Sequence, residues 1–132
     1  MFRTIAVAVL LSVAPQMGVA ESHVAGDAAK GEKVFRKCKA CHAVGEGAKK
    51  KAGPVLNGIV DRRIASGDFA YSKVLKALGD EGRIWTPEEL SAFLTKPRDY
   101  AKGTKMKFAG LRKEADRANV IAYLASFPEG GS

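Results

Sequence analysis

Apolar residues recur at helical spacing in two stretches near opposite ends of the chain. Over 26–39, Gly31, Val34, Phe35 and Cys38 fall on one stripe behind Asp27, a good N-cap, so a first helix is expected there. Over 113–127, Val120, Tyr123, Leu124 and Phe127 make a matching face for a last helix. A glycine inside a helix costs up to about 1 kcal/mol relative to alanine, so Gly31 marks a close approach, with the last helix as the expected partner. Between these ends the pattern is weaker. Residues 43–63 hold several glycines, Pro54 and three consecutive lysines, and read mostly as loop. Residues 72–78 predict a short helix bounded by Gly79. The run Thr86-Pro87-Glu88-Glu89 is a capping box with proline at the first helical position, and it starts a helix to about Thr95 that Pro97 stops. No segment alternates with a two-residue period, so the fold class is all-α.

The first 20 residues follow a different pattern. Arg3 is followed by an apolar run over 5–13, broken only by Ser12, and Gly18-Val19-Ala20 supplies small residues. This is the layout of an export signal cleaved after Ala20. A membrane span takes roughly 20 apolar residues, more than this run offers before Pro15 and Gln16 end it. Residues 21–132 are then expected to be one soluble domain, with an ordered core of about 26–127 and a bacterial periplasm as its compartment. Both ends of that domain read as frayed.

The chemistry concentrates in Cys38-Lys39-Ala40-Cys41-His42. On a helical turn, residues three and four apart share a face, so two thiols and an imidazole can address one flat object. Haem is the favoured reading: two thioethers to the thiols fix the macrocycle and His42 becomes the proximal ligand. A thioredoxin-like disulfide and a zinc site are the competing readings. Zinc lacks donors, because the only other Cys or His is His23, in the N-terminal tail. A redox motif of the thioredoxin kind lacks the preceding strand. Met106 is the one methionine after residue 20, set in a loop between Gly103 and Gly110 with lysines on both sides. A core methionine would sit on an apolar stripe, so Met106 is the expected second axial ligand, in the pairing used by electron-carrier haems.

These stretches, with Gly53-Pro54-Val55-Leu56, Phe69-Ala70-Tyr71-Ser72, Ile84-Trp85, Gly103-Thr104-Lys105-Met106 and Val120-Ile121-Ala122-Tyr123-Leu124, occur in an order and spacing that resembles class I c-type cytochromes, mitochondrial cytochrome c and bacterial cytochrome c2 among them. The resemblance runs over 26–127. It implies a small fold in which the N- and C-terminal helices pack together around one covalently bound haem c. It also implies that the Pro54 carbonyl accepts the outer ring N–H of His42, that Arg62, Tyr71 and Trp85 face the haem propionates, and that Thr104 adds a contact at that edge. Two positions depart from the pattern: Phe93 stands where many relatives carry a tyrosine near the methionine sulfur, and Lys102 replaces a common proline.

Charge completes the reading. The chain carries a net charge of +8 and a pI near 9.7. Lys37, Lys39 and Lys51 cluster about the haem motif, while Lys105, Lys107, Arg112 and Lys113 surround Met106, so both groups attach to segments that must touch the cofactor. A basic ring of this kind steers a domain towards acidic surfaces. Nucleic acid is the usual partner of such charge, and export with haem argues against it; anionic headgroups are at most a weak attraction. The resulting expectation is a monomeric periplasmic electron carrier of the respiratory or photosynthetic chain, not an enzyme. By the same resemblance its partners are a bc1-type complex or dehydrogenase and a terminal oxidase, reductase or reaction centre. The alternative is a haem peroxidase or gas sensor in which Met106 is easily displaced.

Overall fold

The structure is a computed structural model that describes residues 25–130, so the expected export segment lies outside the described residues. Five helices follow one another along the chain: α1 (Ala28–Phe35), α2 (Lys73–Asp80), α3 (Pro87–Thr95), α4 (Pro97–Tyr100) and α5 (Glu114–Ala125). No strand is formed among the described residues beyond an isolated antiparallel bridge between Arg63 and Ile84. None of the helices described is long and apolar enough to cross a membrane.

The most extensive contact between helices is that of α1 with α5. Gly31 is buried, and a Cβ there would overlap the Asn119 carbonyl oxygen of α5; Gly26 meets Ala118 in the same way. The expected close approach is therefore real. Asn119 adds a direct link, its Oδ1 accepting the Asp27 N–H at 2.8 Å, while Asp27 caps α1 by accepting the Lys30 N–H. Phe35 and Tyr123 pack with ring centroids 5.4 Å apart, and Val120, Ile121 and Leu124 drive the inner face of α5 into the core. The first helix is shorter than the 26–39 expected. It ends at Phe35 and continues as turns through Cys41.

Capping sets the middle of the chain. Thr86 accepts the Glu89 N–H at 3.1 Å and Pro87 opens α3, as the sequence signalled. The reciprocal half of the capping box is missing, because the Glu89 carboxylate turns instead to Arg83 and Tyr100. Lys96, held extended before Pro97, ends α3, yet Pro97 does more than stop a helix: it begins the single turn α4. Ser72 caps α2, which runs past Gly79 rather than ending there. That glycine is a contact residue, since a Cβ would strike the Ile64 carbonyl.

Replacing Gly31 with alanine gains helix propensity but forces α1 off α5. The expected net loss is about 2 kcal/mol, read as a lower urea midpoint of the holoprotein at unchanged slope; an unchanged midpoint would show that the two helices can separate freely.

Candidate functional site

The turns that follow α1 assemble the thiols and the imidazole. The N–H groups of both Cys41 and His42 donate to the Cys38 carbonyl, at 3.1 and 2.9 Å, which folds the motif into one tight loop. Neither cysteine is in a disulfide; Cys38 is partly buried and Cys41 exposed. Burial pushes the Cys38 thiol upwards, partly offset by the Lys37 charge. Among the described residues no group of three or more His, Cys, Asp or Glu side chains is arranged to share a metal ion.

His42 is fixed by its own loop. Its Nδ1 lies 2.7 Å from the Pro54 carbonyl oxygen, and because a carbonyl can only accept, Nδ1 carries the proton and Nε2 keeps its lone pair. Gly53 lies directly against the ring, where a Cβ would collide with Cε1. The Gly53 N–H donates back to the Cys41 carbonyl at 2.8 Å and the Leu56 N–H to Ala43 at 3.1 Å, clamping the returning loop. Burial lowers the pKa of His42, with the Pro54 bond pulling the other way, so the ring is a neutral donor at neutral pH. Asn57, which no sequence signal singled out, pins the same loop: its Oδ1 accepts the Gly45 N–H and its Nδ2 donates to the Gly45 carbonyl.

Arg62 and Trp85 come together through backbone pairing. The Trp85 N–H donates to the Arg62 carbonyl at 2.8 Å and the Asp61 N–H to the Trp85 carbonyl at 2.8 Å, beside the Arg63 and Ile84 bridge. Trp85 is buried, deeper than a half-buried aromatic. The Arg62 Nη1 donates to the Asn57 carbonyl, whereas its Nε is buried with no partner in the protein. Tyr71 accepts the Gly67 N–H on its hydroxyl and stacks edge-on against Phe69.

Met106 is carried by the segment between α4 and α5, which is tied down at its ends. Ala101 is fully buried and donates to the Pro97 carbonyl, and the Leu111 N–H donates to Leu94 at 2.7 Å. Gly110 takes a positive φ of 117° against the Thr95 carbonyl, a place no side chain could occupy. The Thr104 hydroxyl accepts the Met106 N–H at 3.3 Å, so this threonine shapes the turn that presents the thioether. Met106 itself is half-buried against the core with Cys38, Leu56, Val74, Leu75, Leu78 and Phe108.

Those half-covered apolar side chains, the orphaned Arg62 Nε and the cradle around His42 fit a haem c: a flat apolar ring for the former, its carboxylates for the guanidinium, its iron for Nε2. Phe93 is buried in a stack with Trp85 and Tyr100, at centroid distances of 5.0 and 5.6 Å. Behind it the Tyr100 hydroxyl donates to the Glu89 carboxylate, which also accepts from Arg83 at 2.9 Å. The seven expected docking residues, Lys37, Lys39, Lys51, Lys105, Lys107, Arg112 and Lys113, are all exposed. Lys51 reaches across to the Lys39 carbonyl at 3.0 Å, which joins two of the basic segments.

Known proteins resemble this chain in sequence and fold. The family model described as cytochrome c matches residues 28–128. Cytochrome c2 of Agrobacterium tumefaciens (strain II Chrys) is 51% identical over 100 residues, covering 75% of this chain and 90% of that protein. Cytochrome c-550 of Ancylobacter novellus is 51% identical over 105 residues, 79% of this chain and 98% of its own. The solved structure of cytochrome c2 from Rhodospirillum centenum superposes with a TM-score of 0.72 at 43% identity, covering 78% of this chain and 99% of that one.

The Arg83, Glu89 and Tyr100 cluster makes stability depend on pH at both extremes. The Tyr100 hydroxyl, opposed by burial and helped by Arg83, holds Glu89 below its ordinary value, so its stabilisation is present above pH 4.5 and lost as pH falls through the folded value. Burial and the Glu89 carboxylate push Tyr100 from 10.0 to about 12, so its stabilisation is complete below pH 10 and lost as pH rises towards 12. Melting curves of the holoprotein should show Glu89→Gln losing its deficit against wild type in acid, and Tyr100→Phe losing its deficit in strong alkali. Parallel pH profiles for wild type and variants would refute this assignment.

Proposed function

This chain belongs to the cytochrome c family, whose members carry electrons on covalently attached haem c rather than catalyse a reaction, and from that premise we propose that His42 and Met106 are its two axial ligands and that its basic face docks acidic redox partners in a bacterial periplasm. The haem supplies a one-electron iron couple. The chain's own residues set how that couple behaves. Cys38 and Cys41 hold the ring through thioethers. The bond from His42 Nδ1 to Pro54 carries the reading, because it fixes the ring's orientation and tautomer and strengthens Nε2 as a donor. Met106 would supply a thioether as the second donor, which would close the iron to small ligands and raise the potential relative to two nitrogen donors. Phe93 offers no hydroxyl to the sulfur, so Met106 is held by its loop and by Thr104.

Pro54, Arg62, Tyr71, Trp85 and Thr104 surround the remaining edge. Arg62 has a buried donor without a protein partner to give a propionate, and its positive charge would temper the two carboxylates. Export of residues 21–132 after cleavage at Ala20 places the domain where a quinol-oxidising bc1-type complex or a dehydrogenase can reduce it. A terminal oxidase, reductase or reaction centre then reoxidises it. The exposed lysines favour fast, short-lived encounters over tight ones, which suits a carrier that must leave again.

The near-infrared spectrum of the purified ferric protein tests the ligand set. A weak sulfur-to-iron charge-transfer band is expected in wild type and absent in Met106→Ala, with a lower potential and ready binding of exogenous ligands in the variant. A wild-type protein without the band, or a variant that keeps it, would place another group on the iron. The docking face is tested by kinetics: reversing the charge of Lys51 together with Lys107 should slow the second-order reaction with an acidic redox partner by about tenfold at low salt, a deficit that shrinks as ionic strength rises.

A further inference from the structure

The residues beyond the end of α5 reach the loop that carries Pro54. The chain leaves the helix in a tight turn, with the Ser126 and Phe127 N–H groups donating to the carbonyls of Tyr123 and Leu124. That turn sets the Phe127 ring edge-on against Tyr123, with centroids 4.9 Å apart, and Tyr123 in turn packs on Phe35 at the end of α1. Phe127 also faces the loop after the haem motif. A Cβ on Gly45 would lie 3.9 Å from its Cε1, and the Phe127 carbonyl accepts the Gly58 N–H at 2.8 Å. Between those two contacts sits buried Asn57, which holds both backbone polar groups of Gly45. Gly58 itself turns with a φ of 67°, and a Cβ there would strike the Glu129 backbone.

His42 and Pro54 stand 12 residues apart on the two arms of this loop. The bonds from Gly53 to Cys41, from Leu56 to Ala43 and from Asn57 to Gly45 tie the arms to each other, whereas Phe127 ties both to the crossing of α1 and α5. Resting on the reading of His42 as an axial ligand, we propose that Phe127 is a positioning residue for that ligand, whose anchored carbonyl keeps the Pro54 carbonyl within reach of His42 Nδ1. Hydrogen bonds weaken steeply as distance and angle depart from the optimum. An alanine at 127 keeps the acceptor but loses the ring that aims it, so the Pro54 arm drifts and the bond to Nδ1 lengthens. His42 then becomes a poorer electron donor, which disfavours the ferric form and raises the potential.

Proton NMR of the ferric holoprotein together with redox titration decides the matter. Wild type should show His42 ring protons displaced by the iron, with a slowly exchanging proton on Nδ1. In Phe127→Ala that proton should exchange about tenfold faster and the potential should rise. Phe127→Leu, which keeps an apolar anchor, should hold both near wild type. Gly58→Ala leaves the aromatic stack whole but pushes on Glu129, and it should move both readouts in the same direction as Phe127→Ala. Val120→Ala, a cavity in the buried face of α5, controls for lost stability: it should lower the urea midpoint and move neither readout. If Phe127→Ala and Gly58→Ala leave the Nδ1 proton and the potential unchanged, or Val120→Ala shifts them equally, the positioning role is overturned while His42 stays on the iron. A wild-type spectrum without iron-displaced His42 protons overturns the ligand reading as well.

Discussion

The closeness with which α1 crosses α5 is the constraint on which the rest is built. Because Gly31 lets the Asn119 carbonyl rest against its backbone, α1 has one position along α5 and no freedom to slide. Its end at Phe35 is therefore fixed, and the turns that follow start from a known place and direction. Cys38, Cys41 and His42 inherit that placement within two turns, through the hydrogen bonds to the Cys38 carbonyl. A contact between the two ends of the domain thus determines where the reactive motif stands. The cost is long-range order: the bond from the Asp27 N–H to Asn119 alone spans 92 residues.

From the motif outwards, the site is built by loops that borrow their rigidity. Residues 43–58 lack regular structure, yet Asn57, the Gly53 and Cys41 pair and the Pro54 carbonyl turn the segment into a fixed cradle for His42. The bridge between 61–64 and 83–85 does the same for Arg62 and Trp85. Met106 is held at a distance, by a buried alanine at one end of its loop and a backbone bond to α3 at the other. Each device satisfies backbone groups that a loop would otherwise leave to water, which is why so much irregular chain can surround an apolar ligand.

Legibility in the sequence followed the range of the interaction. Helix starts were plain because Asp27, Ser72 and Thr86 act on donors three residues away, and Gly31 announced its role because a helical glycine is locally unfavourable. The motif at 38–42 was plain because its chemistry is local as well. Gly79 was misread as a boundary: its reason lies in the Ile64 carbonyl, which no local pattern reveals. Glu89 fits a capping box equally well, but Arg83 and Tyr100, brought near by the fold, outbid the backbone for its carboxylate. Asn57 was invisible for the same reason, and Gly53, Pro54 and Arg62 were read only through resemblance, a turn and a solvated charge being all that their neighbours suggest.

The two sides of the site differ in how firmly they are held, and that difference has a physical origin. On the His42 side the contacts are short, partly buried and made by backbone groups whose release would strand a polar atom. Across a recess that Pro54 also lines, the 66–71 loop is tied by exposed lysines whose release leaves Asp68 and the Ala70 carbonyl to water. Leu56, Val74, Leu75, Leu78 and Phe108 stay half-covered by protein, so the surface that would cement the two sides is supplied by the cofactor itself. On the proposed ligation, a domain made this way would keep the His42 donor rigid, which would hold the reorganisation on electron transfer small. Adaptability is left to the rim, where the ties are exposed and weak.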